Sequence, residues 1–284
     1  MNAIRFTKMH GIGNDFIVID GVTTPAPNDD LRKLAIAIND RRAGVGGDGL
    51  ILIVRDPDGV LRMRMLNPDG SEAEMCGNGV RCAAKLVRER KIANENPIAM
   101  RTGNGLLSLE TGSRTGNGTV DWVKVDMGVA RLERGQIPMT GPAAEKAIRF
   151  ALNAAGQTFE AAAVSMGNPH CVIFVENVDA VPLEVWGPGI ENAPEFPNRV
   201  NAQFAQIVSR TEIKMRTWER GAGATLACGT GACAVAVAAF ENGLTEREVT
   251  THLPGGDLKI EYREDGRVLM TGPAVTVFEG VWPA

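Results

Sequence analysis

The sequence predicts a mixed α/β protein made of two similar halves, and two repeated features carry this prediction. A tetrapeptide occurs twice, as Cys76-Gly77-Asn78-Gly79 and as Cys228-Gly229-Thr230-Gly231, each followed by small residues with helical character. A Gly-Asn pair precedes each copy, at Gly13-Asn14 and at Gly167-Asn168. Features that recur in the same order at nearly the same spacing are expected when one α/β unit has been duplicated.

The first half is predicted to contain strands and helices in mixed order. Runs of β-branched and other apolar residues predict strands at residues 4–9, 16–20, 50–54, 61–66, 98–101, 106–110 and 120–125. A helix is expected over residues 29–41, with Asn28 or Asp29 as its N-cap. A second helix is expected after Gly77, because apolar side chains recur at helical spacing over residues 80–87.

The second half is predicted to repeat this pattern after a linker. The linker falls near residues 127–144, which hold two prolines and a glycine near their end and lack a clear period. Strands are expected at 172–175, 204–208 and 213–217, followed by a helix after Gly229 and by several strands up to residue 278. This mixed order does not indicate a doubly wound parallel sheet.

The composition excludes several classes of protein. Hydrophobic residues make up 44% of the chain and charged residues 23%, which is enough apolar material to bury a core and argues against disorder. The net charge is −4 without a Lys/Arg-rich run, so neither a nucleic acid nor an anionic membrane is an expected partner. No apolar run reaches the length of a spanning helix and the N-terminus lacks a signal-peptide core, so a cytoplasmic location is expected.

The cysteines and histidines do not predict a metal site. There are five cysteines and three histidines, the histidines are scattered, and no Cys-x-x-Cys pair occurs. An odd number of cysteines without an export signal also argues against a disulfide framework. Cys82, Cys171 and Cys233 are interpreted as buried packing residues.

Cys76 and Cys228 are expected to have a different role, because each begins a helix. A helix N-terminus offers unpaired N–H groups and the positive end of the dipole, which favour a thiolate and lower the thiol pKa. The N–H groups of Gly77, Asn78, Gly229 and Thr230 could also hold a carboxylate. Two such thiols facing one carbon could remove a proton on one side and return one on the other. This predicts racemisation or epimerisation next to a carboxylate.

Two hypotheses from other functional classes remain open on the residues alone. A cysteine at a helix start also suits a thiol-based redox protein, and a glycine-rich helix start also suits an anion-binding module. A dinucleotide site is disfavoured, since Gly11-x-Gly13 and Gly221-x-Gly223 do not complete the Gly-x-Gly-x-x-Gly fingerprint.

Five longer segments add a family resemblance. They are residues 6–16 (FTKMHGIGNDF), 67–82 (NPDGSEAEMCGNGVRC), 166–170 (MGNPH), 199–202 (RVNA) and 218–231 (WERGAGATLACGTG). Together they resemble diaminopimelate epimerases over the whole chain. The resemblance implies two α/β domains, residues 1–127 plus 273–284 and residues 128–272, with the active site in the cleft between them. It also implies interconversion of LL- and meso-2,6-diaminopimelate for lysine and peptidoglycan synthesis, without pyridoxal phosphate or another cofactor.

The resemblance assigns roles to individual residues. Cys76 and Cys228 would be the acid–base pair, and His170 and Glu219 would tune the pKa values of the thiols. The remaining substrate contacts implied by the motifs are Asn14, Asn67, Gly77, Asn78, Asn168, Asn201, Glu219, Arg220, Gly229 and Thr230. Arginine suits the distal carboxylate because its guanidinium can hold one in bidentate fashion.

Two positions depart from the family pattern. Gly49 stands where many members carry a glutamine that contacts substrate, and Phe278 stands where many carry a tyrosine associated with a dimer contact. A homodimer is therefore expected, with an apolar ring at position 278. Proline racemases and hydroxyproline epimerases are the alternative within the fold, but they carry His where this chain has Asn78. Phenazine-biosynthesis isomerases of the same fold lack the cysteine pair.

Overall fold

The computed structural model describes residues 3–27, 30–73, 75–114, 116 and 118–283. The chain divides into unit 1, Met1–Val125 with Thr271–Ala284, and unit 2, Asp126–Met270. Among the described residues, no helix is both long enough and apolar enough to cross a bilayer.

The described part of unit 1 is a mixed sheet with two α-helices. Its elements are β1 (Ile4–Gly11), β2 (Asn14–Asp20), α1 (Leu31–Asn39), β3 (Gly49–Arg55), β4 (Leu61–Leu66), β5 (Glu72–Ala73), α2 (Gly77–Glu89), β6 (Ile98–Thr102), β7 (Gly105–Gly112), the start of β8 (Trp122–Val129) and, near the C-terminus, β18 (Val275–Trp282). β1 pairs with β18 and β2, both antiparallel. The sheet then continues through β3, β4, β6, β7 and β8.

The two helices of unit 1 cover opposite faces of this sheet. Leu50 and Leu52 of β3 belong to the core cluster that includes Leu34 and Ile38 of α1. Ile51 lies between them and points to the other face, where α2 begins. Because both faces are covered, the residues of β3 from 50 to 53 are all buried and read as a continuous apolar run.

Unit 2 contains the remaining strands and α-helices. They are β9 (Phe150–Ala154), β10 (Gln157–Ser165), β11 (Pro169–Phe174), α3 (Leu183–Glu191), β12 (Asn201–Ser209), β13 (Glu212–Glu219), β14 (Gly223–Thr225), α4 (Gly229–Glu241), β15 (Glu248–Leu253), β16 (Gly256–Tyr262) and β17 (Arg267–Gly272), whose last residues belong to unit 1. A core of apolar side chains from α3 and from one face of β10, β11 and β12 includes Phe159, Ile173, Leu183, Ile190 and Phe204.

The strand pairings of the two units follow the same series. In unit 1, β1 and β2 are antiparallel, β2 and β3 parallel, β3 and β4 antiparallel, β4 and β6 parallel, and β6 and β7 antiparallel. In unit 2 the same sequence of pairings joins β10, β11, β12, β13, β15 and β16. Helices α1 and α3 occupy equivalent positions in the two series, and so do α2 and α4. The predicted mixed α/β fold with an internal duplication is confirmed.

Some element boundaries differ from the predictions. Helix α1 ends at Asn39, two residues early, and its cap is Asp30, whose side chain accepts from the Arg32 N–H at 3.1 Å. The proposed caps Asn28 and Asp29 lie outside the described residues. The strand predicted at 120–125 begins at Trp122 instead.

Four elements of unit 2 have no counterpart in the sequence predictions: β9, β10, α3 and the three-residue β14. Helix α3 contains Pro188 between two glycines, which interrupts the helical pattern. Its Gly187 is explained by packing, because a Cβ there would lie 2.5 Å from the ring of Trp218. This close approach of helix and strand is a tertiary requirement that no local pattern reveals.

Candidate active site

Cys76 lies at the N-terminus of α2, as the sequence predicts. It is the N-cap residue, with extended backbone at φ −140°, and its Sγ accepts from the Gly79 N–H at 3.5 Å. The thiol also lies 3.6 Å from Asn14 Oδ1 and can donate to it. Asn14 Oδ1 accepts in addition from Asn78 Nδ2 at 3.2 Å. Unit 1 therefore brings together the predicted residues Asn14, Cys76, Gly77 and Asn78.

A fully buried arginine holds the first turn of α2. Arg81 donates to the carbonyl of Gly77 at 3.1 Å, to Asn78 Oδ1 at 2.9 Å and to the carbonyl of Pro273 at 3.1 Å. The Asn78 amide is thereby oriented so that its Nδ2 points to Asn14. Arg81 is not among the site residues that the sequence predicts. Its signal is a charged residue among the small apolar residues of an otherwise buried helix segment.

A charged cluster orients Asn14 from the other side. Asn14 Nδ2 donates to Asp48 Oδ2 at 2.7 Å, which leaves Oδ1 to face the thiol of Cys76. Arg41 bridges Asp48 and Asp15 at 2.7 and 2.6 Å, and Lys8 pairs with Asp15. Burial raises the pKa of Asp15, but the bonds from Arg41 and Lys8 overcome this and hold the pKa at about 2. Like Arg81, Asp48 orients an asparagine beside Cys76 and is not among the residues that the sequence predicts.

Cys228 occupies the equivalent N-cap of α4, but its surroundings differ from those of Cys76. Its backbone is also extended, at φ −124°, and the residue is only 4% exposed. Burial and the carboxylate of Glu219 raise the pKa of the Cys228 thiol well above its usual range. The Thr230 hydroxyl, 3.7 Å from the sulfur, acts in the opposite direction but does not prevail. The expectation that the helix N-terminus lowers this thiol pKa is wrong, because desolvation and a neighbouring anion outweigh it.

Glu219 ends strand β13 beside this thiol. Burial raises its pKa, while hydrogen bonds from Thr225 and Cys228 act to lower it. The Thr225 hydroxyl donates to Glu219 Oε1 at 2.5 Å. A thiol that donates to a carboxylate is stabilised in its protonated form, which agrees with the raised pKa of Cys228.

His170 lies inside the sheet of unit 2 and does not touch the thiol directly. It is fully buried, with Nε2 3.0 Å from Asn168 Oδ1 and Nδ1 3.2 Å from Gln203 Nε2. Burial and the charge of Arg220 lower the pKa of His170 to about 3, so the imidazole is neutral. Asn168 in turn donates to the Thr230 hydroxyl at 3.4 Å. Among the described residues, hydrogen bonds connect His170 to Cys228 through Asn168 and Thr230.

Asn201 and Arg220 form the other polar part of this group. Asn201 pairs with His170 across β11 and β12, its Nδ2 donates to the carbonyl of Pro169 at 2.8 Å, and its Oδ1 accepts from the Arg220 N–H at 3.0 Å. The exposed guanidinium of Arg220 donates to the carbonyl of Asn198 at 2.9 Å. Unit 2 therefore groups the predicted residues Asn168, His170, Asn201, Glu219, Arg220, Cys228, Gly229 and Thr230.

Asn67 is held in a turn after β4. Its Nδ2 donates to Ser71 Oγ at 3.0 Å, and its backbone bonds to Ser71 and Gly70 close the turn. The hydrogen bonds described for unit 1 do not link it to Cys76. This placement agrees with the ordinary role of an Asn-Pro-Asp-Gly segment.

The two departures from the family pattern have distinct surroundings. A Cβ at Gly49 would lie 3.1 Å from both Met65 Cε and the carbonyl of Leu66, so Met65 fills the adjacent space. Phe278 is 47% exposed and packs edge-to-face on Phe6, with 6.0 Å between ring centroids.

Solved structures of low sequence identity share this fold. A PhzF-family phenazine biosynthesis protein from Bacillus anthracis superposes with a TM-score of 0.72 at 16% identity, covering 100% of both chains. A hydroxyproline epimerase from Agrobacterium vitis gives 0.68 at 14% identity, covering 99% of this chain and 92% of the other. The class of protein is thus defined by the duplicated α/β fold that this chain shares with both structures.

Closer relatives narrow the assignment. A sequence profile described as diaminopimelate epimerase matches residues 6–133 and 162–277. The diaminopimelate epimerase of Pelotomaculum thermopropionicum is 50% identical over 280 residues, 99% of each chain. That of Heliobacterium modesticaldum is 49% identical over 282 residues, 99% of this chain and 100% of its own. The chain belongs to the diaminopimelate epimerase family and is an isomerase, which confirms the family resemblance.

Proposed function

We propose that this protein interconverts LL- and meso-2,6-diaminopimelate in lysine and peptidoglycan-precursor biosynthesis, with two cysteines as its acid and base and with no cofactor. The observation that carries the proposal is the repeated N-cap cysteine, Cys76 on α2 and Cys228 on α4, in a chain that matches diaminopimelate epimerases along its whole length. A thiol/thiolate pair is suited to this task because one group accepts a proton while the other donates one.

The surroundings of the cysteines support one assignment of the resting protonation states. The raised pKa of Cys228 and its contact with Glu219 favour a protonated thiol there. Cys76, which accepts from the Gly79 N–H, would then act as the thiolate base, once its thiol has given up the proton that it can donate to Asn14 Oδ1. From these starting states, the Cys76 sulfur takes the α-proton, and the Cys228 S–H gives its proton to the opposite face of the same carbon. The reverse direction starts with the protons exchanged, so no electron acceptor is needed.

Backbone donors would stabilise the charge that develops next to the α-carbon. The N–H groups at the starts of α2 and α4, from Gly77, Asn78, Gly229 and Thr230, are suited to the carboxylate at the reacting centre. The distal amino-acid end would be held by Asn14, Asn67, Asn168, Asn201, Glu219 and Arg220. Among these, the exposed guanidinium of Arg220 supplies the fixed positive charge.

Proton exchange in heavy water tests the function directly. The reduced protein, without added pyridoxal phosphate, is incubated with LL-diaminopimelate and followed by NMR and chiral chromatography. Deuterium at one α-carbon together with formation of the meso isomer is the expected result. Exchange of proline or hydroxyproline instead would retain the cysteine chemistry and reject the substrate. Absence of exchange with every amino acid would reject the proposed function.

We also propose that the protein is a cytoplasmic homodimer. Strand β18 exposes Val275, Val277, Phe278 and Val281, an apolar set that a second copy could cover. A reducing compartment would keep the proposed catalytic thiols reduced. Sedimentation at micromolar concentration should give a dimer that Val281→Asp dissociates. A wild-type protein that sediments only as a monomer would rule out this assembly.

A further inference from the structure

A buried chain of polar side chains runs through unit 2 and ends at the sulfur of Cys228. The Thr217 hydroxyl donates to Gln203 Oε1 at 2.7 Å, and Gln203 Nε2 lies 3.2 Å from His170 Nδ1. His170 Nε2 lies 3.0 Å from Asn168 Oδ1, Asn168 Nδ2 lies 3.4 Å from Thr230 Oγ1, and Thr230 lies 3.7 Å from the sulfur. Gln203 and His170 are fully buried and Thr217 nearly so.

The donors in this chain all point the same way. An amide nitrogen can only donate, so Gln203 Nε2 requires an unprotonated Nδ1 on His170. The ring is neutral, so its single proton is on Nε2 and is donated to Asn168 Oδ1. Asn168 then presents its Nδ2 to Thr230, whose oxygen accepts and whose own proton is left for the sulfur.

We propose that Gln203 and Thr217 are positioning residues for the reaction, which hold His170 in the Nε2–H tautomer and thereby make Thr230 a hydrogen-bond donor to Cys228. The inference rests on the proposed acid–base role of Cys228. Neither residue touches the thiol, so both act through His170, Asn168 and Thr230.

The packing of α4 against the Gln203 side chain supports this positioning role. A Cβ at Gly231, in the first turn of α4, would lie 2.7 to 2.8 Å from the side-chain amide atoms of Gln203. The helix that carries Cys228 therefore sits directly on this amide, and only glycine permits the approach. Gln203 thus fixes both the tautomer of His170 and the position of the first turn of α4.

The equivalent asparagine of unit 1 is oriented in the opposite sense. Asn14 donates to Asp48 and turns its Oδ1 to the thiol of Cys76, whereas Asn168 accepts from His170 and turns its Nδ2 toward Thr230. The duplicated Gly-Asn pairs thus give one cysteine an acceptor and the other a chain of donors. This difference makes the two thiols chemically distinct within one repeated motif.

NMR of the unliganded full-length protein tests the inference without relying on turnover. The tautomer of His170 is read from ¹⁵N shifts, with its signal assigned by loss in His170→Asn, and the titration of Cys228 is read from its ¹³Cβ shift. The wild type should show the Nε2–H tautomer. In Gln203→Met and Thr217→Val, the tautomers should mix and the Cys228 midpoint should rise by about half a pH unit, the size expected for one lost hydrogen bond.

Turnover should fall in the same two variants, with kcat lower by about tenfold and KM changed less. Thr251→Val is the matched control, since Thr251 is a buried threonine of unit 2 whose hydroxyl donates to the carbonyl of Leu258 at 3.1 Å, outside the chain. Glu219 and Arg220, the charged neighbours of Cys228 and His170, are retained in every variant. The control should leave both NMR signals in place.

Three results would overturn the inference. The first is an Nδ1–H tautomer in the wild type, which reverses every donor in the chain. The second is a Cys228 midpoint that does not move in Gln203→Met and Thr217→Val even though kcat falls, which leaves only a structural role. The third is a midpoint that moves equally in Thr251→Val. Failure of the proposed function would show itself differently, as normal turnover in Cys228→Ser, while the NMR coupling would still be measurable.

Discussion

The two cysteines carry the same sequence motif but have different neighbours. Cys76 is half-buried and receives the Gly79 N–H, whereas Cys228 is buried beside the Glu219 carboxylate. A helix N-terminus alone would make both thiols acidic. At the residue scale, burial and the neighbouring Glu219 carboxylate raise the pKa of Cys228 instead.

Replacing either cysteine by serine should reduce turnover by about a thousandfold or more, because a hydroxyl at neutral pH is a far weaker base than a thiolate. The measurement is kcat in both directions for Cys76→Ser and Cys228→Ser. Cys82→Ala, which removes a buried cysteine of the same helix as Cys76, serves as the control. Turnover near the wild-type value in either serine variant would reject the two-base assignment.

Removing the charge of Glu219 should make Cys228 more acidic. The carboxylate raises the pKa of the thiol, so Glu219→Gln lowers it, and the thiolate forms at lower pH. The ¹³Cβ titration of Cys228 should therefore move to lower pH. Glu212→Gln, at the exposed start of the same strand, should leave the titration unchanged. A shift to higher pH would contradict the role given to Glu219.

At the scale of elements, the start of α2 depends on a residue one turn inside the helix. Arg81 ties the carbonyl of Gly77 and the side chain of Asn78 to the backbone of Pro273, near the C-terminal strand. The N-cap Cys76 contacts its own helix three residues on, whereas the Arg81 contacts reach distant parts of the chain. They join segments almost two hundred residues apart, a separation of 192 in the case of Pro273.

Arg81→Met should lower the free energy of unfolding by about 3 kcal/mol, because buried carbonyls would lose a charged donor. Thermal or urea unfolding measures the loss. Arg88→Met on the same helix is the control, since Arg88 is partly exposed and donates to the carbonyl of Asn94. Equal losses in the two variants would show that Arg81 contributes no more than an ordinary surface arginine.

At the scale of the whole molecule, acid stability should depend on the cluster around Asp15. The folded pKa of Asp15 is lowered from 3.8 to about 2, so its contribution is present above pH 4 and is lost as the pH falls toward 2. Wild type and Asp15→Asn should differ by about 2 kcal/mol in unfolding free energy at pH 7, and this difference should shrink between pH 4 and 2. Urea unfolding across this range measures it. The exposed Glu264→Gln is the control, and a difference independent of pH would contradict the ionic origin.

Much of the fold follows from local patterns. The sequence predicts the strands of unit 1 other than the two-residue β5, both helices that follow the Cys-Gly motifs and the internal duplication, because alternating or continuous apolar runs and cap residues report local structure directly. Helix α3 escaped prediction because Pro188 and its flanking glycines conceal a helix that is stabilised by packing on β12 and β13. The sequences of β9 and β10 likewise lack a pattern that predicts a strand.

The sequence by itself determined the family, the duplicated fold and the positions of the two cysteines at helix starts, since motifs and caps are properties of neighbouring residues. Tertiary structure decided the chemistry around those cysteines. Asp48 reaches the site from the segment before β3, Gln203 and Thr217 from β12 and β13, and Arg81 from inside α2. None of these residues belongs to a repeated sequence pattern. Burial, charge proximity and hydrogen-bond direction depend on which segments the fold brings together. For this reason two copies of one motif became two different thiol environments.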